Sequence, residues 1–129
     1  MAAIPGRCFP RALVIIIASW LFANAAAAHH SYSMFDAEKE VTIEGTVRNF
    51  DWTNPHVWID VAVMDDKGEM QMWGIEARAL GPLYRLGWNR ETIKPGDKIM
   101  AVLHPMRNGG LGGQLVRVTL PNGKVLDAR

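Results

Sequence analysis

Four histidines carry most of the chemistry this chain can offer: His29, His30, His56 and His104. Imidazole is the commonest protein ligand for transition metals. His29 and His30 directly follow the alanines Ala25 to Ala28, a small-residue run of the kind signal peptidases cut. A cut after Ala28 makes His29 the N-terminal residue, which then offers an α-amine and a ring nitrogen in one chelate. His30, His56 or His104 would add further imidazole nitrogens, and a nitrogen-rich tetragonal set favours Cu(II). A cut one residue earlier leaves Ala28-His29-His30, with histidine third, another arrangement that chelates Cu(II) or Ni(II). A cut before Ala26 also fits the small-x-small pattern. The bland alternative is that the histidine pair only keeps the junction accessible, while His56 starts a strand and His104 precedes a turn at Pro105.

Softer donors form a second option. Met70 and Met72 alternate on one face of a strand, with Trp73 on the other. Thioethers select Cu(I), whereas the ordinary reading makes this pair a core face. The tryptophans Trp52, Trp58 and Trp73, with Asn54 in the turn between the first two, offer a stacking platform for a peptide, a glycan or an envelope protein. Against that stands the need of a cysteine-free small domain for aromatic core area. Glu76 lies near Arg78, Arg85 and Arg90, where an ion pair would fix a helix to the rest of the fold.

The segment ahead of the histidines reads as a leader. Arg7 and Arg11 precede the ten-residue apolar run "LVIIIASWLF", which is too short for a permanent membrane span of about 20 residues. The expected division is therefore a signal peptide over 1–28 and one periplasmic domain over 29–129. An uncleaved anchor is the alternative. Loss of Arg7 and Arg11 leaves 12 basic residues against 13 acidic ones, without charge runs. Neither nucleic acid nor an anionic membrane is an expected partner. The single cysteine, Cys8, leaves with the leader, so the core alone must hold the domain.

"EVTIEGTVRNF" (40–50) alternates as a half-buried strand, with Gly45 marking a bend or a close backbone approach. "HVWIDVAVM" and "EMQMWGIE" make a second and a third strand around a "DDKG" turn. "ARALGPLYRLGW" then changes period. Pro82 suits the first helical position and Gly87 the C-terminal cap. Lys98 to His104 is a fourth strand, "PMRNGGLGG" a flexible loop, Gln114 to Leu120 a fifth strand, and Val125-Leu126 the centre of a short sixth. Five or six strands with one short helix after the third predict an all-β, OB-like Greek-key barrel. An open sheet or small sandwich competes.

The chain resembles a domain-of-unknown-function family of small exported bacterial proteins. The residues carrying the resemblance are His29-His30-Ser31, Glu44-Gly45-Thr46-Val47, Trp52-Thr53-Asn54-Pro55-His56, Lys94-Pro95-Gly96-Asp97 and His104-Pro105. It implies a periplasmic all-β domain and brings no activity with it. No nucleophile elbow or phosphate-cradling loop is present, because "NGGLGG" leads into a strand rather than a helix. The expectation is a monomeric, non-enzymatic binding protein whose ligand is copper or another transition metal. Its alternative is a metal-free interaction module using the tryptophan face.

Overall fold

A computed structural model describes residues 32–129. The expected leader over 1–28, its cut site, and both His29 and His30 lie outside the described residues.

Among the described residues the named elements follow in chain order: β1 (Val41–Asp51), β2 (Trp58–Met64), β3 (Met70–Glu76), α1 (Leu80–Arg85), β4 (Lys98–Pro105), β5 (Gly112–Thr119) and β6 (Val125–Asp127). β1 pairs antiparallel with β2 and with β4, β2 with β3, and β4 with β5. A parallel pairing of β3 with β5 closes the circuit into a five-stranded barrel, and β6 adds to β5 outside it. This is the expected OB-like barrel with one short helix after the third strand.

Alternation decides what faces inward. Ile43, Val47, Ile59, Val61, Ile75 and Leu103 are buried strand residues of one core cluster. β1 is long enough to serve two neighbours. Its first half, Val41–Thr46, pairs with β4, and its second half, Thr46–Asp51, pairs with β2. The handover falls at Thr46, and at Gly45 beside it a Cβ would collide with the Ala62 carbonyl oxygen and Val61 Cγ1. The glycine therefore marks a close backbone approach, as its place in the alternation suggests.

The "KPGD" turn is clasped to this bend. Val47 N donates to Asp97 O and Gly96 N donates to Val47 O, both at 2.8 Å, while Lys94 N donates to Asp97 Oδ2. Gly96 has φ 95°, which costs glycine least. Two sequence motifs fifty residues apart thus satisfy each other's backbone groups.

Helix α1 begins two residues before Pro82 and caps one end of the core with the fully buried Leu83. Its start is set from outside the helix, by Asn54 Oδ1 accepting from Leu80 N at 3.1 Å. Its end is a Schellman arrangement: Gly87 N donates to Tyr84 O and Trp88 N to Leu83 O, with Gly87 at φ 89°. Trp88 is buried behind it, and its indole N–H donates to Asp127 O at 2.7 Å, fastening β6.

Candidate functional site

His56 lies in the loop after β1, and its Nδ1 is 2.5 Å from Oε1 of Glu76, the last residue of β3. Glu76 is buried although it belongs to the outward-facing set of its strand. The β ladder explains its setting. Glu76 is level with Trp58 on β2 and Gln114 on β5, and Gln114 is level with His104 on β4. Residues level across a ladder point to the same face, so Trp58, Glu76, Gln114 and His104 form one outer band. Strand spacing puts the Glu76 and His104 backbones about 10 Å apart.

His104 is itself buried, and its Nδ1 donates to Lys39 O at 2.8 Å, in the segment leading into β1. A carbonyl oxygen only accepts, so Nδ1 carries the hydrogen and the neutral ring's lone pair is on Nε2. A carboxylate at Nδ1 sets His56 in the same sense. Metal-ligating histidines are commonly oriented this way, by an acceptor on the nitrogen that does not coordinate. Among the described residues no group of three or more His, Cys, Asp or Glu side chains is gathered to hold an ion.

The tryptophan-face residues separate. Trp52 is buried and stacks edge-on against Tyr84 at a centroid distance of 5.2 Å. Trp73 is half-buried and packs on the core, and Asn54 is the helix cap described above. Only Trp58 of this set presents a largely open ring, at 42% exposure. Within "WTNPH", then, Trp52 fills the core, Asn54 starts α1, and His56 engages Glu76. The Asn54-Pro55 peptide bond is cis. The Glu76–His56 pair escaped sequence reasoning, which set Glu76 among the arginines near the helix.

Met70 and Met72 do not form a core face. Both point outward, with Met64 directly opposite Met70 across the β2–β3 ladder and Ala62 opposite Met72. Trp73 and Ile75 take the inward positions of β3 instead.

A model of a family of unknown function (DUF6152) matches residues 17–115. The chain belongs to this family. Among curated proteins, no sequence matches it. Among solved structures it is similar to the mitochondrial single-stranded DNA-binding protein of S. cerevisiae in two crystal forms. One form has a TM-score of 0.47 at 13% identity, over 64% of this chain and 93% of that one. The other has a TM-score of 0.48 at 12% identity, over 64% and 91%. This DUF6152 member has two histidines whose Nδ1 atoms meet oxygen atoms, those of Glu76 and Lys39.

Proposed function

We propose that this DUF6152 protein is an exported, periplasmic, monomeric binding protein for a copper ion. His56 and His104 supply imidazole nitrogens, and His29 and His30 complete the donor set after signal-peptide removal. The observation that carries the reading is the shared orientation of the two described rings. Each has Nδ1 engaged by an oxygen acceptor, Glu76 Oε1 in one case and Lys39 O in the other. Nε2 would then be the coordinating nitrogen in both. Nitrogen donors in this number suit Cu(II), which such sites bind more tightly than zinc, and do not suit magnesium or calcium, which take oxygen ligands. No nucleophile or phosphate cradle supports an enzymatic alternative.

A metal-free interaction module is the second reading, and the open ring of Trp58 beside the Glu76 band favours it. Cu(II) titration of the natively processed protein separates the two. One equivalent should bind with nitrogen hyperfine structure in the electron paramagnetic resonance spectrum, and His56→Ala should weaken it. A protein carrying an extra N-terminal methionine should lose the tight site. Equal, weak binding by all three proteins overturns the copper reading and leaves the interaction module.

A further inference from the structure

We infer that the outer face of the β2–β3 hairpin is a thioether site for a soft monovalent cation of the Cu(I) type, formed by Met64, Met70 and Met72. The inference uses none of the histidines and stands or falls separately from the copper(II) reading. Its basis is a placement that packing does not explain. Methionine is ordinarily among the buried residue types, yet these three are 57%, 54% and 50% exposed. They occupy neighbouring outward positions of one ladder. Met64 and Met70 are direct cross-strand partners, and Met72 is the next outward residue along β3.

Side chains directly opposite on a sheet have Cβ atoms about 5 Å apart, and diagonal neighbours are within reach of long side chains. Methionine carries its sulfur two bonds beyond Cβ on an unbranched, adaptable stem. Three such sulfurs on adjacent positions can turn toward one point above the sheet. Thioether sulfur prefers Cu(I) over harder ions, so the donor type selects the ion.

A groove adjoins the hairpin. Beyond the Thr46–Ala62 rung, β1 and β2 no longer pair, and a groove of about 350 Å³ opens there. Met64 and Met70 line it together with one carboxylate, Glu44, and one ammonium, Lys98, so the sulfurs rather than a net charge would select the ion.

Ag(I), a redox-inert stand-in for Cu(I), tests the site on the natively processed protein labelled at methionine methyls. The expected result is one equivalent bound, with the methyl signals of Met64, Met70 and Met72 shifted and those of Met34 and Met106 unmoved. Replacing all three by leucine keeps the apolar surface and removes the sulfurs. That variant should show an unchanged circular dichroism spectrum and at least about tenfold weaker Ag(I) binding. His56→Ala should leave the three methyl shifts intact. Unshifted methyls, or undiminished binding by the leucine variant, would overturn the inference. A protein partner recognising an apolar patch would tolerate that leucine variant.

Discussion

The imidazole of His56 and the carboxylate of Glu76 meet at 2.5 Å, joining the loop after β1 to the end of β3. If His56 is a ligand, Glu76 acts through it by fixing the ring. Glu76→Gln keeps the shape and an acceptor but loses the charge. Copper affinity should then fall about ten- to a hundredfold, read by isothermal titration. Glu76→Ala should in addition cost about 2 kcal/mol of stability in urea unfolding, because a charged hydrogen bond is lost in a buried place.

Asn54 holds the first turn of α1 from 26 residues upstream. Asn54→Ala should destabilise the domain by about 1 kcal/mol, the usual worth of a helix-start acceptor. Asn54→Asp should restore most of it, since the carboxylate accepts the same Leu80 N–H.

The rung that closes the barrel offers an internally controlled pair. Gly74 and Gly112 are ladder partners, but a Cβ on Gly112 would stand 2.5 Å from Gly74 O, whereas one on Gly74 meets nothing within 4 Å. Gly112→Ala should cost about 3 kcal/mol through forced separation of β3 and β5. Gly74→Ala should be close to neutral in the same denaturant measurement.

Asp65 contributes to the acid limb of stability at the β2–β3 turn. The Glu69 backbone N–H, donating to its carboxylate, chiefly holds its pKa below the usual carboxylate value, with further donation from Lys67 N and Gln71 Nε2. A folded pKa lowered in this way gives stability that is present above the unfolded value and lost as pH falls through the folded one. Thermal unfolding should therefore show a decline in Tm below about pH 4 that is shallower in Asp65→Asn, while the variant's Tm at neutral pH is lower.

Strand identity was legible because alternation survives wherever one face is polar. Ile43 and Val47 on β1, and Ile59 and Val61 on β2, are inward as their spacing indicates. Where both faces are apolar the signal has no sign. Met70, Met72, Trp73 and Ile75 define a strand but not which side is core, and the methionines prove to be outside.

Glycine hides structure in the same way. The segment "PMRNGGLGG" looks like a loop throughout, yet Gly112 and Gly113 begin β5, because only a residue without Cβ tolerates the approach of Gly74 O and His104 O. The candidate site was legible in its residue types and not in its pairings. His56 with Glu76, and His104 with Lys39, are long-range contacts that no local pattern encodes.

The divided edge of β5 gives its last neighbour a protective task. β3 takes Gly112–Gln114 and β6 takes Arg117–Thr119, so the tiny C-terminal strand covers the backbone that barrel closure leaves open. A chain stopped after Leu120 would lose the Trp88 acceptor on Asp127 and the buried Leu126 and Ala128, and would expose a template for strand addition from another molecule. β6 covers that stretch of edge, and its removal should appear as concentration-dependent self-association in analytical ultracentrifugation.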